Sequence, residues 1–189
     1  MFALNAWNTV TLVWQAIGIL WIVTAVYERT TPQPEEHGRP REYIHALYML
    51  PAVALLFWPR TAVGPLGRVL FQSNAFGLTV VFAGAAFAGL ARLALGANWS
   101  SRARIRDAHT LSTSGPYRIV RHPIYSGLLL SFLGTAIILG QLRGYLAVVL
   151  AFLVWLFKSR REDRLLAERF GADFTAYCRR TKALIPGIL

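Results

Sequence analysis

The sequence has little cysteine, little acid and none of the glycine-rich motifs that hold phosphates. Cys178 is the single cysteine among 189 residues, which excludes an internal disulfide and gives no sign of an oxidising compartment. Nine acidic residues stand against twenty lysines and arginines, for a formal net charge of +11. Charged residues make up only 15% of the chain and hydrophobic ones 55%, too apolar for an ordinary soluble domain. A phosphate loop and a dinucleotide fingerprint are both missing. His37, His45, His109, His122 and Cys178 lack the short spacing of a zinc site, and the acids form no calcium loop, so no metal is expected. Nucleic acid is not an expected partner either, because the basic residues flank long apolar runs and no groove-reading motif accompanies them. No lysine or arginine precedes the first apolar run, so the pattern of a secretory signal peptide is lacking and that run reads as a retained first span.

What the sequence does have is apolar runs at Trp7 to Tyr27, Tyr43 to Trp58, Phe76 to Leu95, Ile124 to Leu139 and Tyr145 to Phe157. A spanning helix needs about 20 mostly apolar residues, so these imply an all-α integral membrane protein with about five transmembrane helices. The second, fourth and fifth runs are short and are expected to reach into interfacial residues. Lysines and arginines number three in 28–42, six in 92–122 and eight after 157, against two in 59–75 and Arg143 alone in the turn after the fourth run. Alternate segments therefore carry most of the positive charge, which places the N-terminus outside and the C-terminus in the cytoplasm of an inner, cell membrane. All nine acidic residues fall on that same cytoplasmic side. Gly140 to Gly144 reads as a tight turn that makes the fourth and fifth spans a C-terminal helical hairpin. Lys158 to Arg169 reads as an amphipathic cytoplasmic extension of the last helix, with Gly171 as its stop. The chain is expected to be one membrane domain, with an N-terminal helical hairpin and loops over 1–75 and a core over 76–189. Small residues in the third run, among them Gly77 and Gly84, suit close helix packing.

The chemistry concentrates in two clusters. Ser114-Gly115-Pro116-Tyr117-Arg118-Ile119-Val120-Arg121-His122-Pro123-Ile124-Tyr125-Ser126-Gly127 is a polar loop running into the fourth span. Pro123 suits the first turn of a helix, which puts Arg121 and His122 at a helix entrance able to seat an anion. Arg160-Arg161-Glu162-Asp163 follows the fifth span. A hairpin with its turn outside returns both clusters to the cytoplasmic level, where a cationic and an acidic cluster face each other across a small site. That pairing suits a zwitterionic ligand: a carboxylate for Arg121, an ammonium for Glu162 or Asp163, and aromatic faces at Tyr117 or Tyr125 for a sulfonium. Spacing alone equally allows Arg121 and His122 to be interfacial anchors and the acids to pair with neighbouring arginines.

Gly115-Pro116-Tyr117, Arg121-His122-Pro123-x-Tyr125-x-Gly127, the acidic pair, Leu165-Leu166, Phe170-Gly171, Tyr177 and Ile185-Pro186 together resemble the isoprenylcysteine carboxyl methyltransferase family and its bacterial relatives. The resemblance runs over about residues 90–189, from Arg92 and Asn98-Trp99-Ser100. Phospholipid N-methyltransferases look similar in this half, and sterol reductases more distantly. The family's acidic pair is usually two glutamates, whereas this chain has Glu162-Asp163. The resemblance implies an S-adenosylmethionine-dependent enzyme that yields S-adenosylhomocysteine and methylates a lipophilic or prenylated acceptor at the cytoplasmic membrane face. Its cofactor-pocket positions fall on Tyr117, Arg121, His122, Pro123, Tyr125, Glu162 and Asp163, with His109 and Leu111 upstream beside the adenosine. His122 and Glu162 are the candidates for a catalytic base, should the acceptor be an amine or thiol that must lose a proton. The alternatives from other classes are a nicotinamide-dependent, sterol-reductase-like enzyme and a non-catalytic membrane protein whose basic tail binds anionic lipid.

Overall fold

The computed structural model describes residues 5–30, 43–58, 64–95 and 111–189. These residues form five α-helices: α1 (Ala6–Thr30), α2 (Tyr43–Phe57), α3 (Asn74–Leu95), α4 (Pro123–Leu139) and α5 (Leu142–Arg180). Two short 3-10 turns, Gly64–Gly67 and Gly115–Arg118, precede α3 and α4. Every apolar run of the sequence lies on one of these helices. Of the described helices, α1, α3 and α5 are long and apolar enough to cross a membrane, and α2 and α4 are shorter apolar helices. The outward side chains of α1 fit a lipid environment, with Ile19, Ile22 and Val23 all more than half exposed.

The helix ends follow local rules. Asn5 caps α1 by accepting a hydrogen bond from the Asn8 backbone N–H at 2.8 Å. Pro123 opens α4, where its missing N–H costs nothing. Gly140 closes α4 in the left-handed region, at φ 66°, and its N–H returns to the Ala136 carbonyl. The chain turns within Gly140 and Gln141, and α5 starts already at Leu142. Gly144, expected within the turn, instead lies inside α5, where it packs closely on Ala136. The helix runs on past its apolar part, which ends at Phe157, so the amphipathic extension is continuous with it. Gly171 breaks the helix at φ 49° and ψ −114°, but helical structure resumes and continues to Arg180.

Packing centres on α4. Gly77 and Gly84 of α3 face Gly134 and Gly127 of α4 in antiparallel order, and a Cβ on Gly84 would stand 2.5 Å from the Gly127 carbonyl oxygen. The seven-residue spacing of both glycine pairs keeps them on one helix face, which lets the two backbones touch. Ser131 strengthens the seam by donating to the Val81 carbonyl at 3.3 Å. On the other flank, Trp14 of α1 donates to Thr135 at 3.0 Å and meets Phe132 edge-on at 5.1 Å. Phe132 in turn meets Trp155 of α5 edge-on at 5.6 Å. Ala52 and Leu56 of α2 join Phe132, Ala147, Ala151 and Trp155 in one buried cluster.

At the end opposite the polar clusters, Val69 and Gln141 form an antiparallel bridge. Arg143, the lone cation of that turn, is fully buried there, donating to Gln141 Oε1 at 2.8 Å and to the Trp58 carbonyl. Two neutral oxygens thus tie the end of α2 to the start of α5.

Candidate functional site

The other end of α4 gathers the two polar clusters. Gly115–Arg118 turns the chain so that Tyr117 is buried and Val120 pairs in parallel with Lys182. The backbone N–H groups of Arg121 and His122 donate to the carbonyls of Lys182 and Ala183 at 2.8 and 3.0 Å. Ser126 donates to the Leu184 carbonyl at 2.6 Å. Tyr177 donates its hydroxyl hydrogen to the Tyr117 carbonyl. The segment 181–184 is therefore a strap across the start of α4, and it fixes the backbone from which Arg121 and His122 project.

Glu162 and Asp163 stand on α5 about one and a half turns beyond Phe157 and meet those side chains directly. Arg121 Nη2 lies 2.9 Å from Asp163 Oδ2, and Nε lies 3.3 Å from the same oxygen. Its Nη1 donates to the Thr181 carbonyl. His122 Nε2 is 2.8 Å from Asp163 Oδ1, and Nδ1 is 3.3 Å from Glu162 Oε2. Tyr125 donates to Glu162 Oε1 at 2.7 Å, and Lys158 Nζ approaches the same oxygen at 3.9 Å. The His122 and Tyr125 rings stack at 5.6 Å with an interplanar angle of 9°, and Tyr125 stacks on Trp155 at 6.2 Å. Lys158 sits over the Tyr125 ring, 5.2 Å from its centroid.

Burial and charge pull against each other in this cluster. Burial favours neutral His122, but its hydrogen bonds to Asp163 and Glu162 outweigh that and leave its pKa raised. Burial likewise opposes the Glu162 carboxylate, yet hydrogen bonding to His122 and the nearby Lys158 charge hold its pKa below the usual range. Asp163 is lowered against the same burial cost, through His122 and Arg121. Tyr117 is raised by burial first and then by the neighbouring Tyr177 and Glu162, and burial pushes Tyr177 up to about 12.

Of the residues singled out in the sequence, Arg121, His122, Tyr125, Glu162 and Asp163 come together in direct contact. Pro123 is buried beneath them as the first residue of α4. Tyr117 is buried beside the cluster and held by Tyr177. Leu111 is partly buried at the start of the described segment, and His109 lies outside the described residues, as do Asn98, Trp99 and Ser100. The cationic and acidic groups do not face each other across a gap, as expected, but touch. Two participants were not legible as such in the sequence, Lys158 and Trp155, while the resemblance implied a C-terminal segment in the pocket but not its backbone contacts. Lys158 and Glu162 are four residues apart on one helix face, a spacing that could have flagged the first.

The sequence model of the phospholipid methyltransferase family matches residues 72–173, a stretch holding α3, α4 and the Glu162-Asp163 pair. The chain belongs to this family. Among curated proteins, protein-S-isoprenylcysteine O-methyltransferase B of Arabidopsis thaliana is 33% identical over 116 residues, which cover 59% of this chain and 58% of that protein. The A form from the same plant is 30% identical over 150 residues, covering 77% of this chain and 68% of the relative. A cobalt-zinc-cadmium resistance protein of Cupriavidus metallidurans is 43% identical over 82 residues, covering 43% of this chain and 38% of that protein. This family member thus spans about three fifths of the first of these relatives. The strap, at 181–184, falls beyond the family match.

Proposed function

We propose that this family member is an integral membrane methyltransferase that uses S-adenosylmethionine to methylate a lipophilic acceptor of isoprenylcysteine carboxylate type at the cytoplasmic membrane face. The observation that carries the reading is the contact between Arg121-His122 and Glu162-Asp163 inside the stretch matched by the family. The donor set suits the cofactor's methionine end: a guanidinium for a carboxylate, carboxylates for an ammonium, and the Tyr125 ring for a cation. Tyr117, Arg121, His122, Pro123, Tyr125, Glu162 and Asp163 would hold it, with His109 and Leu111 toward the adenosine. When bound, S-adenosylmethionine supplies an electrophilic methyl group on a sulfonium. The protein's own task is then to align acceptor and donor and to exclude water. Pro123, the strap and the stacked His122, Tyr125 and Trp155 rings serve that task by fixing the side chains at the α4 entrance. A carboxylate acceptor needs no base, which suits a site whose carboxylates are already engaged by cations.

In this reading all five helices are membrane crossings, α4 and α5 form a hairpin with its turn outside, the N-terminus is outside and the C-terminus is in the cytoplasm of the cell membrane. Residues 76–189 are the methyltransferase core, and α1 and α2 complete the single membrane domain. The charge asymmetry of the segments supports this orientation. A phospholipid amine is the second acceptor class, favoured by the description of the matching family.

Calorimetric titration of the detergent-solubilised protein with S-adenosylmethionine and S-adenosylhomocysteine tests the cofactor. Saturable binding is expected, weakened about 10- to 100-fold in Arg121→Ala, the scale of a charge-assisted hydrogen-bond pair. Absence of binding by folded wild type would refute the reading. Transfer of labelled methyl to farnesylated cysteine analogues but not to phosphatidylethanolamine would decide between the acceptors.

A further inference from the structure

An ionised carboxylate can only accept hydrogen bonds, and a neutral imidazole has only one donor nitrogen. His122 has a carboxylate oxygen at each ring nitrogen, 2.8 Å from Nε2 and 3.3 Å from Nδ1, and its side chain is only 6% exposed. A neutral ring would aim a lone pair at one of the two carboxylates with little water to screen the repulsion. A protonated ring would instead complete an alternation of sign along the contacts Arg121, Asp163, His122, Glu162 and Lys158. Asp163 is occupied on both oxygens by Arg121 and His122.

We infer that His122 is a resident imidazolium, doubly protonated at neutral pH, which positions Glu162 and Asp163 and is not the proton acceptor of the reaction. The charge state stands on this geometry alone; only the exclusion as a base rests on the methyltransferase reading. The surroundings agree from every element packed against the ring. Arg121 precedes α4, and Tyr125 on α4 stacks on the ring and donates to Glu162. Lys158, Glu162 and Asp163 come from α5, and Thr181 of the strap receives Arg121. Tyr177 and Cys178 feel the charges of Arg121 and Asp163 from the last helical segment. Two carboxylates against one imidazole overcome the burial that opposes its charge, so its pKa lies above 6.5. The stabilisation linked to this proton is fully present below pH 6.5 and is lost as pH rises through the raised folded value.

The test is imidazole nitrogen NMR on ligand-free protein carrying His37→Gln, His45→Gln and His109→Gln, which leaves His122 as the only histidine. If that variant does not fold, the difference between histidine-labelled wild type and His122→Gln isolates the same signal. Titration over roughly pH 5 to 9 is expected to show both ring nitrogens protonated at neutral pH and a midpoint above 6.5. Asp163→Asn should lower the midpoint by about one unit or more. A neutral tautomer at pH 7, or a midpoint indifferent to Asp163→Asn, would overturn the proposal. Because no cofactor is present, failure to bind S-adenosylmethionine leaves this result standing. A pH profile of methyl transfer supplies the second readout: activity should fall as pH rises through that midpoint, whereas a base at His122 would make it rise.

Discussion

At the scale of single residues, the cluster trades desolvation for pairing, and acid should expose the exchange. Glu162 and Asp163 have folded pKa values below their ordinary 4.5 and 3.8. Lowered carboxylates contribute stability above their unfolded values, and that contribution is lost as pH falls through the folded ones. The thermal midpoint of wild type in detergent should therefore drop as pH falls below about 4. Glu162→Gln should start less stable and show a shallower acid decline; identical slopes would deny the pairing its energetic role. The identity of these residues was legible through the resemblance that Arg121-His122-Pro123 and the acidic pair carry, since their spacing alone equally allowed interfacial anchors. Their contacts were not. Sequence spacing could bring both clusters to one level but could not tell facing across a gap from touching, since that depends on how closely α4 and α5 approach.

At the scale of elements, the start of α4 was readable from Pro123 and its end from Gly140, because both residues act through their own backbone dihedrals. The course of α5 was only half readable. Gly171 was expected to stop the helix, and it does leave helical geometry, but helical structure resumes on its far side. There the buried Phe174 and Tyr177 dock the last helical segment, and such tertiary burial is not encoded by one glycine. The glycine seam makes the sharpest prediction. Gly84→Ala would bring a Cβ to 2.5 Å from the Gly127 carbonyl oxygen and 2.6 Å from the Ser131 nitrogen. These are backbone atoms, so α3 and α4 must separate, at a cost of about 1–3 kcal/mol. Gly89→Ala, in the same helix but with nothing within 4 Å, is the control and should match or exceed wild-type stability. Differential scanning fluorimetry in one detergent compares them, and equal midpoints would argue against close backbone contact.

For the molecule as a whole, the resemblance implied that the C-terminal segment joins the pocket but not how, because the strap works through carbonyl oxygens that any residue supplies. Lys182, Ala183 and Leu184 could be other residues and still accept from Arg121, His122 and Ser126. A chain ending at Arg180 should keep its five helices by far-ultraviolet circular dichroism yet bind S-adenosylmethionine at least about 10-fold more weakly, since it loses several hydrogen bonds at the α4 entrance. Undiminished affinity would make the strap mere packing. Sixty residues separate Arg121 from Thr181, and the strap closes that loop. Closing a loop of such length costs chain entropy that only the final contacts repay. The polar cluster is thus joined to a contact that closes a long loop, and the same small-scale opening that releases the strap would release the backbone carrying Arg121 and His122. Hydrogen exchange at those two amides would then clock the opening of the cluster itself.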